Sequence, residues 1–132
     1  MDNLMVEATR SSPAIRFDAA NHCLSIRGES YPENAAAFYA PVFAWLKAFL
    51  AGLEPAAVVR VDLEILYLNS SSTKVMLNFL DLLEQTAQEG AVVEVNWIYD
   101  PDNETVFECG QDFSEELRAL RFNLVEQRRE AP

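Results

Sequence analysis

Histidine, cysteine and positive charge are all scarce in this chain. Its single histidine, His22, and its two cysteines, Cys23 and Cys109, are spread over 132 residues. Neither cysteine belongs to a CxxC pair or a metal-spaced cluster, so neither a disulfide scaffold nor a metal site is expected, and both read as reduced thiols. Ten Lys and Arg stand against 21 Asp and Glu, a formal net charge of −11. Such a field repels phosphate backbones and anionic lipid and attracts a basic partner surface, so neither nucleic acid nor membrane is an expected ligand. No apolar run approaches the roughly 18 residues of a membrane span, and no basic stretch followed by an apolar segment opens the chain. The expected compartment is therefore the cytoplasm, where Asn69-Ser70-Ser71 and Asn103-Glu104-Thr105 carry no glycan despite matching the sequon.

What is present is regular apolar patterning, in a chain that is 50% hydrophobic. That argues for a folded protein, and the length for one domain over 1–132 with an ordered core at about 13–126. "AIRFDA" and "CLSIRG", separated by Ala20-Asn21-His22, read as a hairpin. Phe38, Val42, Trp45, Leu46, Phe49 and Leu50 recur at helical spacing up to Gly52, with Pro41 marking either a kink or a second start. In "AVVRVDLEILYL" the alternation puts Val59, Val61, Leu63, Ile65 and Tyr67 on one strand face and Arg60, Asp62 and Glu64 on the other. "AVVEVNWIYD" repeats it. Between the two runs a helical stripe of Val75, Met76, Phe79, Leu80 and Leu83 ends near Gln88-Glu89-Gly90, which implies a right-handed parallel crossover. A polar segment from Pro101 to Leu120 reads as a third helix and "RFNLVE" as a last strand. The expected fold is α/β: a mixed sheet with an N-terminal hairpin, a parallel β-α-β crossover and helices mainly on one face.

Four consecutive hydroxyls, Ser70, Ser71, Ser72 and Thr73, fall where the long strand ends and the second helix begins. Asn69 or Ser70 capping that helix accounts for them without further function. The same geometry suits a switch. A phosphate at a helix N-terminus gains from free amides and the dipole while placing about two negative charges on an exposed edge, and only Lys74 lies nearby to offset them. "NSSSTK" lacks the glycines of a phosphate-cradling loop, which disfavours a nucleotide site. Upstream, Ser30 to Asn34 reads as turn and cap chemistry, with Pro32 fixing a first helical turn and Glu33 complementing the dipole; Tyr31 and Asn34 equally offer a contact surface.

For catalysis the inventory is poor. His22 sits at a hairpin turn without a nucleophile at a recognisable spacing. Asp62 and Glu64 share a strand face and read as solvated rather than as an acid and base pair. Cys109 in "FECGQDF" has acids beside it, the reverse of what activates a thiol. No catalytic residue, metal ligand or cofactor is expected.

Three stretches in order, "GESYPENAAAFYAPVFAWL", "DLEILYLNSSSTKVM" and "VNWIYDPDNE", resemble the SiaC-type regulatory phosphoproteins of bacteria, a likeness running from about Pro13 to Phe122. The resemblance implies a STAS-like domain, similar to anti-anti-sigma antagonists, that switches partners. It implies phosphorylation by a dedicated serine/threonine kinase of histidine-kinase-like fold and removal of the phosphate by a PP2C-type phosphatase. The unphosphorylated form would bind an effector such as a GGDEF diguanylate cyclase, and phosphorylation would release it. The acceptor carried over is the hydroxyl after the motif asparagine, Ser70, with Ser71, Ser72 and Thr73 as less favoured sites. Tyr31, Pro32, Glu33, Asn34, Tyr67, Asn69 and Lys74 are the expected partner-binding residues. The competing expectation is a constitutive protein-protein adaptor, or an anti-anti-sigma-type antagonist, with no phosphoryl cycle.

Overall fold

The protein is described over residues 1–128 by a computed structural model. Its strands are β1 (Leu4–Val6), β2 (Ala14–Asp18), β3 (Cys23–Ser30), β4 (Val58–Leu68), β5 (Val92–Tyr99) and β6 (Arg121–Glu126), and its helices α1 (Ala35–Ala51), α2 (Ser70–Gln88) and α3 (Glu104–Glu116). The six strands form one sheet in sequence order. β1, β2 and β3 pair antiparallel, and β3 through β6 pair parallel.

Each parallel step is bridged by one helix. Crossovers of one hand that advance in one direction across a sheet lay their helices on the same face. Alternation within the strands matches: Ile15, Phe17, Leu24, Ile26, Val61, Leu63, Val95 and Trp97 are buried beneath the helices. The opposite face is polar and tied together across strands, Arg27 to Glu64 at 2.8 Å, Asn96 to Asp62 at 2.9 Å and Asn123 to Asn96 at 3.0 Å. The hairpin, the crossover, the third helix and the last strand stand where the patterning puts them. β1, three residues at the sheet edge, does not announce itself in the sequence. No helix among the described residues is long and apolar enough to cross a membrane.

One detail excludes the second helix start left open at Pro41, and another departs from the sequence reading. α1 runs through Pro41 as one helix; the residue is exposed, so the Ala37 carbonyl that loses its partner can turn to water. Tyr67 does not share the buried face of β4 but is 46% exposed. Gly28 pairs with Ile65 and Glu29 with Tyr67, which leaves Leu66 as an extra residue in β4. One extra residue exchanges the faces beyond it, turning Tyr67 out and Leu68 towards the core. Gly28, at φ +126, supplies the backbone freedom opposite the bulge, and the freed Leu66 carbonyl accepts the Asn103 side-chain amide at 3.0 Å.

Candidate functional site

Parallel pairing brings the C-terminal ends of β3, β4 and β5 to one end of the sheet, with the starts of all three helices beside them. An asparagine caps each helix. The side-chain oxygen of Asn34 accepts the Ala37 N–H at 3.0 Å, that of Asn69 the Ser72 N–H at 2.9 Å, and that of Asn103 the Val106 N–H at 3.2 Å. Each satisfies one of the amides that a helix leaves without an internal partner. Pro32 and Glu33 precede the Asn34 cap, so they lie outside α1 and form no part of its first turn.

The hydroxyl run divides sharply. Ser70 and Ser71 are exposed. Ser72 is fully buried, its hydroxyl 2.8 Å from that of Ser30, which in turn lies 2.6 Å from the Tyr39 hydroxyl. Thr73 donates its hydroxyl to the Asn69 carbonyl at 2.9 Å. The Asn69 N–H donates to the Ser30 carbonyl at 3.1 Å, so Ser30 holds α2 at both its cap and its third residue. Burial pushes the Tyr39 phenol above its ordinary pKa, against the opposing effect of the Ser30 hydrogen bond. The group therefore acts here as a neutral hydroxyl.

Near the start of α2 several of the expected residues come together in two groups. The Tyr31 and Tyr67 rings meet edge to face, centroids 5.8 Å apart. A groove of about 840 Å³ between the starts of α1 and α2 is lined by Glu33, Asn34, Ala35, Ser71 and Lys74, among others. Asn34 and the hydroxyl run thus border one surface. With its oxygen committed to the cap, Asn34 has its amide nitrogen to offer a partner. Asp62 and Glu64 are elsewhere in function: they lie on the polar sheet face, Asp62 held by Arg60 and Asn96 and Glu64 by Arg27.

Pattern reading does not reveal the Ser30, Tyr39 and Ser72 contacts, since each residue is unremarkable alone. The one available signal is the even spacing of Leu24, Ile26 and Ser30, which continues the inward face of β3. Glu84 is equally silent. On a helix that reads as amphipathic, its carboxylate is buried and accepts the backbone N–H groups of Arg118, Ala119 and Leu120 at 2.9 to 3.1 Å, tying α2 to the loop before β6.

The family model described as SiaC family regulatory phosphoprotein matches residues 6–127. This chain belongs to the SiaC family. It is similar to SiaC of Pseudomonas aeruginosa, with a TM-score of 0.88 and 36% identity, over 96% of this chain and 100% of that one. A chain in the crystal structure of the diguanylate cyclase SiaD in complex with its activator SiaC, also from Pseudomonas aeruginosa, matches with a TM-score of 0.87 and 39% identity, over 94% of this chain and 99% of that one. An uncharacterized protein of Pseudomonas aeruginosa strain UCBPP-PA14 is 43% identical over 117 residues, 88% of this chain and 90% of its own.

Proposed function

We propose that this SiaC-family chain is a non-enzymatic cytoplasmic partner switch: with Ser70 bare it binds and activates a diguanylate cyclase, and phosphorylation of Ser70 releases that effector. A dedicated serine/threonine kinase of histidine-kinase-like fold adds the phosphate, a PP2C-type phosphatase removes it, and no cofactor takes part. The observation that carries the reading is the exposure of Ser70 at the first position of α2, three residues after Tyr67 of the Tyr31 and Tyr67 pair and next in the chain to Ser71, which lines the groove of Asn34 and Lys74. A dianionic phosphate there adds bulk and charge against any partner fitted to a bare hydroxyl.

Two further observations support it. The buried Ser72 and the internally bonded Thr73 offer a kinase far less than Ser70 and Ser71 do. The residues nearest to catalytic chemistry are otherwise engaged: His22 Nδ1 bonds to the Val58 carbonyl at 3.0 Å, and burial and then Asp112 push the Cys109 thiol up to about 11.

The test is reconstitution with the kinase encoded in the same genome, peptide mapping of the product, and assay of the cyclase with parent, Ser70→Ala and Ser70→Asp proteins. Ser70→Ala should activate and resist the kinase, and Ser70→Asp should bind more weakly. Label on Ser71 would move the acceptor and keep the switch. No label in the run, with both variants behaving as the parent, would favour the constitutive adaptor.

A further inference from the structure

Lysine occurs twice in the chain, as Lys47 and Lys74, and both border the seam between α1 and α2. Neither makes an ion pair among the described residues, where all the ion pairs use arginine. Lys47 is also the one charged side chain in the 17 residues of α1. Beyond the groove at Lys74 lies a second hollow of about 410 Å³, bordered by Lys47 and by the half-buried Phe43 and Leu82. Asn78 lines both hollows, so they adjoin along the seam and together make one shallow channel-like surface. Along it, from Ser71 to Gln85, α2 advances about 21 Å at 1.5 Å per residue. Glu33 and Asp81 also border the channel. Its charges therefore balance, in a chain whose net charge is −11.

We propose that this channel is the docking surface for one segment of the effector, an apolar stretch whose carboxylates meet Lys74 and Lys47. The proposal rests on the switch reading above and gives the chemistry of the partner. A phosphate on Ser70 would draw in a basic segment and repel an acidic one, so release on phosphorylation favours the second. Ser70 precedes Lys74 by four residues, the helical spacing at which an anion and a cation meet. The phosphoryl group then takes the lysine that the effector uses. About two more negative charges matter on so acidic a protein because they cancel the cation at the near end of the channel.

Calorimetry of the full-length chain with its diguanylate cyclase tests this, using parent, Lys47→Glu, Lys74→Glu and Arg16→Glu, the last reversing an exposed charge on the open sheet face. Each lysine reversal should weaken binding about tenfold or more, and Arg16→Glu less than about twofold. Parent-like binding by both lysine variants would overturn the channel and leave the cyclase reading standing. A parent that fails to bind the cyclase sinks that reading instead, and the channel is then judged with two synthetic amphipathic peptides identical except for two glutamates or two lysines. Amide shifts at Val75, Asn78 and Leu82 with the glutamate peptide alone, lost in the double lysine reversal, support the channel. Shifts that are absent, lie elsewhere or are equal for both peptides overturn it.

Discussion

The Ser30 hydroxyl lies 2.8 Å from the Ser72 hydroxyl, both of them buried beneath a helical turn whose other two serines face solvent. With Tyr39 at 2.6 Å the three groups satisfy one another in a site closed to water. Ser30→Ala should therefore cost about 1 to 3 kcal/mol, because it strands two hydroxyls, and Tyr39→Phe about 1 kcal/mol. Urea unfolding of the single and double variants checks this. A coupling energy above about 0.5 kcal/mol between positions 30 and 72 is expected for residues sharing a bond.

Gly110 leaves room for the Trp97 indole. A Cβ there would meet Trp97 Cδ1 and come within 2.5 Å of Trp97 Nε1 and 2.9 Å of Leu124 Cδ2. Trp97 cannot move away cheaply, since its Nε1–H donates to the Val106 carbonyl at 3.0 Å and its ring packs on Phe113. Gly110→Ala should lower stability by about 1 to 3 kcal/mol despite the better helix propensity of alanine. Thermal unfolding of the purified variant measures it.

Glu84 gives the fold an acid-sensitive tie. Burial alone would raise its pKa, but the N–H groups of Ala119, Leu120 and Arg118 and the Gln88 side chain outweigh that and bring it below the ordinary 4.5. A carboxyl whose pKa is depressed on folding contributes stability above its unfolded pKa and loses it as pH falls through the folded value. Stability should thus decline as pH drops below about 4.5, and Glu84→Gln should flatten that part of the profile while costing about 1 to 3 kcal/mol at neutral pH. Urea midpoints from pH 3 to 7, compared between parent and variant, decide it.

The alternation in β4 and β5 and the stripe on α2 made most of the architecture legible, because a strand buried on one face repeats every two residues. β1 was not legible, since three residues cannot establish a period. Tyr67 misled for a definite reason: a bulge at Leu66 reverses the alternation, and nothing in "LEILYL" signals it. At the site, Asn69 as a cap and the nearness of Asn34 to the hydroxyl run were within reach of motif and topology. The burial of Ser72 was not, because it depends on Ser30 and Tyr39, which arrive from other elements.

Cys23 is exposed and Cys109 partly covered. Burial and then the Asp112 charge hold Cys109 at about 11, so little thiolate is present at neutral pH. Iodoacetamide at pH 7.5 should modify Cys23 first, with intact mass showing one adduct well before a second.

The shared direction of β3, β4 and β5 separates the molecule into two ends that answer to different demands. The turns at 19–22, 52–57 and 89–91 all lie at the end away from Ser70, across the 11 residues of β4, roughly 33 Å of strand. Cys23 stands at that far end, on the first residue of β3. A fluorophore on this exposed thiol, or a domain spliced into either neighbouring turn, therefore sits at the opposite end of the strands from Ser70, and the native chain already carries its own point of attachment there.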